Sequence, residues 1–349
     1  MALYERFRNL FAFGPSGPLQ FLTPEHGLTL CNGRLFLSSD EGRTWALVKG
    51  AERLPELNCL FFTSRDQGWV GGRLSGDLYC TTDGGANWRT VDIGHCNTVT
   101  DIYFADQAHG WCSTAEGFVL ATTNRGVSWH RMLLRRGTHL FGIRFAGLGG
   151  GYALGLELNP PAELVAFAAY QRWERNGRKY GRSLDDWLAA EEELSAGTVV
   201  FGTRDAGETW QEIHASREVG YNSLSVPASD TCCLGGEAVL VIRQHGDSQV
   251  EKLTSFTDGP ESNRVVAFAS STLGCTATGF TAYPRLDITT DGGKTWSRVD
   301  LSGGFNGIAS IFYLNLQLAW AACGNYAGTS TIIASRDGGQ SWEVRCDAI

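Results

Sequence analysis

Lysine is nearly absent from this 349-residue chain: Lys49, Lys179, Lys252 and Lys294 stand against 25 Arg. A cation set made of Arg suits bidentate anion contacts, although a GC-rich coding sequence explains it as simply. Cations are also outnumbered, 29 to 37, for a net charge of −8, which excludes the broad basic face that nucleic acid demands. No apolar run reaches 18 residues, so no transmembrane helix is predicted and no membrane span is expected. The opening MALYERFRNLFAFGPSGPLQ has Arg6 and Arg8, but Gly14 and Pro15 break its short apolar patch. It makes a poor secretory signal, so a cytoplasmic location is expected. The ten Cys include no Cys-x-x-Cys pair, so no disulfide framework, metal site or cofactor is expected. Most read as small buried hydrophobes.

What is abundant is glycine: 44 residues, roughly one in eight against a usual share of about 7%. Glycine disfavours long helices. With 11 Trp, 10 Tyr and 18 Phe, it points to many short strands joined by tight turns.

An internal repeat decides the architecture. Six segments share the form Ser/Thr-x-Asp-x-Gly-x-Thr/Ser-Trp: SSDEGRTW (38–45), TTDGGANW (81–88), TTNRGVSW (122–129), TRDAGETW (203–210), TTDGGKTW (289–296) and SRDGGQSW (335–342). The acidic position is held by Asp40, Asp83, Asn124, Asp205, Asp291 and Asp337. The aromatic one is held by Trp45, Trp88, Trp129, Trp210, Trp296 and Trp342. An alternating apolar strand precedes each box. The Asp oxygens accept backbone N–H bonds across the turn, the Gly supplies positive φ, and the Trp opens the next strand and anchors the turn. These carboxylates are fold staples, not catalytic acids.

Each unit reads as strand A, a turn ending in Gly-Trp, strand B, a Gly turn, strand C, the box and strand D, which is a propeller blade. The box tryptophans fall 43, 41, 81, 86 and 46 residues apart. The gap of 86 hides a degenerate box in VIRQHGDSQ (241–249), where Gly246 and Ser248 keep their places. The gap of 81 holds an insertion. An all-β, seven-bladed propeller of four-stranded antiparallel blades results. Its blades are expected at 19–50, 57–94, 99–136, 140–216, 220–255, 263–302 and 306–349. Residues 1–18 form an N-terminal segment, with one propeller domain over 19–349. Whether the N-terminal segment adds a closing strand to the last blade is not legible.

The boxes match the Asp-box, or bacterial neuraminidase repeat. The longer unit, with Asp66-Gln-Gly-Trp69 or Asp106-Gln-Ala-His-Gly-Trp111 before strand B, resembles the photosystem II assembly and stability factor family. That resemblance covers 19–349 outside the insertion. It implies a seven-bladed propeller that acts as an assembly chaperone without catalysis. The acidic balance, the poor export signal and the insertion depart from that family, and point to a paralogous binding protein.

Residues 157–197 interrupt blade four between strands B and C with helical sequence. Pro160-Pro161 precede AELVAFAAYQRWERN, in which Leu164, Phe167, Ala168, Gln171 and Trp173 fall near helical spacing, and Asn176-Gly177 ends it. A second helix opens at Ser183 with Asp186 completing a capping box, and stops at Gly197. As a B–C connection, this helical hairpin projects from the face opposite the boxes. Arg172, Arg175, Arg178, Lys179 and Arg182 cluster near its tip. With Trp173, Tyr180 and Trp187, they are the candidate partner-binding residues.

Enzyme signatures are sparse. A sialidase of the Asp-box type resembles its family through Arg-x-Pro before the first box; here Arg53-Leu-Pro55 follows it. No nucleophile elbow, P-loop or HExxH occurs. His26, His109 and His245 each precede Gly and read as turn residues, not metal ligands. The expected function is therefore a non-catalytic protein-binding propeller, an assembly chaperone or an immunity-type inhibitor. Its partner is an assembly client or a toxin, met through the face bearing the B–C loops and the insertion. The alternative is an Asp-box glycoside hydrolase, sialidase or xyloglucanase-like, since two carboxylates on different blades leave no sequence signature.

Overall fold

A computed structural model of the chain describes residues 16–349 apart from 73–75, 95–97, 158–161, 178–182, 195–196, 246–248, 256–263, 279–283, 302–304 and 325–327. Seven four-stranded antiparallel sheets follow one another along the chain, each with its strands in sequence order. They are the blades of the expected propeller. The inner strands are Ser16–Phe21, Leu57–Phe62, Val99–Phe104, Thr138–Phe145, Tyr221–Ala228, Arg264–Phe268 and Ile308–Tyr313. All seven line one central channel.

Strand B lies between neighbouring blades, buried on both faces. Gly110–Thr114, Thr231–Gly236, Gly274–Thr278 and Ala319–Gly324 are buried at every residue. Such tight quarters favour Gly, Ala and Cys, and eight of the nine described cysteines are buried.

The boxes follow one hydrogen-bond plan. In the first, Thr44 donates its N–H to Asp40 Oδ1 at 2.8 Å and its hydroxyl to Oδ2 at 2.7 Å. Gly42 N–H donates to Ser38 Oγ, and Trp45 Nε1 to the Gly42 carbonyl. Positive φ is needed at two consecutive positions, not one: Glu41 and Gly42 have φ of 65° and 83°. The sequence pattern showed only the second, because the first is Gly in just three of the six boxes.

An aromatic joint links successive blades. Phe104, at the end of its inner strand, stacks on Trp69 of the preceding blade at 4.0 Å and meets Trp129 of its own box edge-on at 5.9 Å. Phe145 repeats this with Trp111 and Trp210, and Phe21 with Trp320 and Trp45. Each phenyl ring lies across the Gly that opens strand B (Gly110, Gly151, Gly27), where a methyl group would overlap it. Trp111 Nε1 then donates to the Ala206 carbonyl in the next blade's box, and Trp320 Nε1 to that of Glu41. Each aromatic pair adds about 0.5–1.5 kcal/mol beyond its buried area.

Blade five departs from the plan. Val239–His245 and Gln249–Ser255 pair out to His245 opposite Gln249, so a short hairpin stands where a box was expected. Gly246 and Ser248 lie outside the described residues. Arg243 Nη2 supplies the missing inter-blade donor, reaching the Gly292 carbonyl of the next box at 2.6 Å.

Ring closure needs no exchanged strand. Ser16–Phe21 belongs to blade one, which therefore starts before residue 19, and blade seven is built entirely from 308–346. Ser310 Oγ donates to the Gly17 carbonyl, Arg336 pairs with Glu41 at 2.5 Å, and Phe21 stacks on Trp320.

Candidate functional site

The inserted hairpin leaves strand B of blade four at Glu157 and re-enters strand C at Gly197, and these two residues pair. The boxes join strands C and D at the other end of the blade, so the hairpin rises from the opposite face. Its base is clamped by Arg135, which pairs with Glu157 at 3.5 Å and Glu212 at 2.5 Å and lies over the Phe201 ring.

Helix α1 spans Ala162–Arg175 and α2 spans Ser183–Leu194, as the sequence led us to expect. Arg172 and Arg175 sit in the last turn of α1, and Asp185 and Asp186 in the first turn of α2, each favourable to its helix dipole. The helices pack chiefly on each other. Their core is small: Val165, Ala169 and Ala190, flanked by Ala168 and Trp187. Asp186 is buried and joins the helices, accepting from Asn176 Nδ2 at 3.0 Å with Arg172 Nε at 3.9 Å. The Ser183 side chain lies outside the described residues.

The apolar face differs from the expected one. Val165 and Ala169 are buried, while Phe167 is 62% exposed, with Tyr170 at 54% and Leu188 at 53%. Small side chains let two short helices approach closely, which turns the larger ones outward. Of the candidate residues, Trp187 packs into the hairpin core, Arg172 faces Asp186, Trp173 is half-buried 5.8 Å from the Tyr170 ring, and Arg175 is exposed. Arg178, Lys179, Tyr180 and Arg182 lie outside the described residues. Sequence spacing missed Phe167, Tyr170 and Leu188 as the accessible apolar groups. The signal was the Val165, Ala169, Arg172 spacing, which marks the opposite stripe.

Beside the hairpin opens the channel, about 1220 Å³ in volume. Its inner strand edges are capped by side chains of neighbouring blades: Gln20 exchanges two bonds with Phe62, and Ser223 and Ser225 accept from Val266 and Phe268. Asp101 does the same for the Ile143 N–H and also pairs with Arg144. Burial pushes the Asp101 carboxyl up against the opposing pull of Arg144. Burial likewise lowers the His139 imidazole, with Glu116 partly opposing. It also lifts the Cys59 thiol well above its usual range, helped by Asp101.

In six inner strands the pairing register shifts near the hairpin-side end. In blades two to five the unpaired residues are Asn58, Thr100, Phe141 and Asn222, and all four line the channel. A bulge re-aims a side chain in this way, often near a binding site. The wall from blades two to four is polar, with Glu56, Asn58, Thr98, Asp101 and His139. The wall from blades five to seven is largely apolar, with Leu224, Val226, Val265 and Ile311.

Comparison with known proteins agrees with this geometry. The family model described as "BNR/Asp-box repeat" matches residues 287–298. A second, described as "Protein of unknown function (DUF2934)", matches 162–196, which is the hairpin. No curated protein matches the chain. The structure titled "YCF48 bound to D1 peptide" is similar at 15% identity, covers 93% of each chain and has a TM-score of 0.62. "YCF48 from Cyanidioschyzon merolae" is similar at 15%, with 93% of this chain, 96% of that one and a TM-score of 0.64. An ancestral GH74 enzyme shares the fold at 14% identity and a TM-score of 0.51, matching 94% of this chain and 56% of that one.

Proposed function

We propose that this protein is a non-catalytic, cytoplasmic binding propeller that holds a protein partner on the face bearing the B–C turns and the helical insertion. The observation that carries the reading is the hairpin itself: two helices packed chiefly on each other, with Phe167, Tyr170 and Leu188 turned to solvent. A hairpin that a family model matches separately supports it as a unit. So does the peptide-bound state named for a propeller of similar fold. The net charge of −8 steers a basic partner toward the ring. An assembly client and a basic toxin both meet that description. A client leaves when assembly proceeds, whereas an inhibited toxin stays bound.

The test is deletion of 159–196, with a short Gly–Ser turn joining the paired ends at Glu157 and Gly197. The expected result is an unchanged thermal midpoint and loss of the captured partner. Equal capture by the deletion variant would overturn the reading. The glycoside hydrolase alternative draws on Glu56 and Asp101, the latter's carboxyl raised by burial. Turnover of a glycan that Glu56→Gln and Asp101→Asn each abolish would establish it instead.

A further inference from the structure

Inner strands start on the hairpin face and end on the box face, so residues late in them share the box-side end of the channel. Arg144, the last residue but one of Thr138–Phe145, lines the channel there with 37% of its side chain exposed. Its Nη1 donates to Asp101 and to the Ile143 carbonyl. Its Nε and Nη2 donate to nothing among the described residues, and neither is a buried atom. Together they form the side of a guanidinium that meets a carboxylate in two parallel bonds. Asp101 does not compete for that side. Its Oδ1 accepts from the Ile102 N–H, and its Oδ2 from the Ile143 N–H and from Arg144 Nη1.

A second donor stands beside the first. The Arg144 guanidinium lies 6.0 Å from the centre of the Tyr103 ring. The Tyr103 hydroxyl bonds to nothing among the described residues and is not a buried atom either. Burial raises its pKa against the pull of Arg144, so it stays protonated and able to donate at neutral pH. Blades five to seven bring apolar groups to the same end: Val226, Phe268 and Phe312. Glu56 and His139 belong to the starts of their strands and so to the opposite end. Among the described residues, Asp101 is the carboxylate that reaches this end, and it is engaged.

We propose that the box-side end of the channel binds a small organic monocarboxylate with an apolar body. Its oxygens accept from Nε and Nη2 of Arg144 and from the Tyr103 hydroxyl, and its body meets Val226, Phe268 and Phe312. Asp101 offsets the charge of Arg144, so the site suits a single negative charge better than a phosphate dianion. The donors lie inside the ring, which suits a small molecule better than a folded surface. This site is at the far end of the channel from the hairpin and does not rest on the protein-binding reading.

Calorimetric titration with phenylbutyrate, phenylbutyramide and phenylbutylamine tests it. The expected result is binding of the acid, binding about tenfold weaker for the amide, as for loss of a charge-assisted contact, and none for the amine. Arg144→Lys keeps a cation beside Asp101 but loses the two-pronged edge, and should weaken the acid about tenfold. Tyr103→Phe should weaken it several-fold at an unchanged thermal midpoint. Should Arg144→Lys fail to fold, Tyr103→Phe, which removes a hydroxyl without a protein partner, carries the test. Equal binding of the amide or the amine, unchanged affinity in either folded variant, or no binding of the acid would each overturn the proposal. So would displacement of the acid by an equal concentration of inorganic phosphate, which would mark a site for anions in general. Acetyl-Gly-Phe with a free carboxyl group, bound where phenylbutyrate is not, would assign the edge to a chain end instead. The variant lacking 159–196 should bind the acid as the intact chain does, and loss of binding there would overturn its placement at the box-side end.

Discussion

The ring and the hairpin are held together in opposite ways. The joints described between blades two and three, three and four, and across the closure from seven to one each use several independent contacts. A phenyl ring lies over a glycine, an indole stacks on it and a second indole meets it edge-on, and at the joints of Phe145 and Phe21 an indole N–H also reaches the next box. The hairpin has one Val and two Ala at its core and one buried carboxylate between its helices. Helices of 14 and 12 residues are marginal in water without tertiary packing. A scaffold with redundant joints thus carries an element whose own packing is slight, and it is this element that we propose meets the partner.

Phe104→Ala should produce the largest effect, because it removes the ring shared by Trp69, Trp129 and Gly110. The expected loss is roughly 3–5 kcal/mol of unfolding free energy in urea. Phe167→Ala, at an exposed aromatic of the hairpin, should stay within about 0.5 kcal/mol. Similar losses for the two would erase the contrast.

Acid should act next, through the boxes of the ring. Bonds from Thr209 and Thr295 lower the carboxyls of Asp205 and Asp291 from 3.8 to about 2. A depressed folded pKa stabilises the fold above the unfolded value, and that share is lost as pH falls through the folded one. The thermal midpoint should therefore drop as pH falls from 3.8 toward 2. Asp205→Asn and Asp291→Asn together should flatten that drop. Blade three already shows the isostere working: Asn124 accepts the Ser128 N–H at 3.0 Å and donates to its hydroxyl at 2.8 Å. An unchanged acid profile in the double variant would show that the boxes do not set it.

The smallest effect on the ring should come from melting the hairpin. Val165→Asp places a charge among Ala169, Ala190 and Trp187. Far-ultraviolet helical signal should fall, while the urea midpoint of the sheet moves by less than about 0.5 kcal/mol. A large shift would mean that ring and hairpin fold as one unit.

Much of this was legible because turns are written in special residues. Asp, Gly and Trp at fixed spacing mark the six boxes, their Trp spacing counts the blades, and Pro161, Gly177 and Gly197 bracket the helices. Contacts across strands are not written that way. Phe104 and Gly110 read separately as a strand residue and a turn glycine, and only the register shows that one lies across the other. The bulges at Asn58 and Thr100 shift the alternation of their strands by one residue, and in strands of six residues that break does not show which residue is the extra one. The hairpin's buried stripe was misplaced because large apolar residues were expected inside. Two close helices bury Val165 and Ala169 and leave Phe167 out.

Hydrogen exchange along the free chain tests the contrast most directly. Amides of α1 and α2 should exchange through local opening orders of magnitude faster than those of Gly110–Thr114 or Ala319–Gly324, whose opening requires the ring to unfold. Equal protection of the helices and these strands would contradict the view that a self-sufficient ring carries a separable, partner-seeking hairpin.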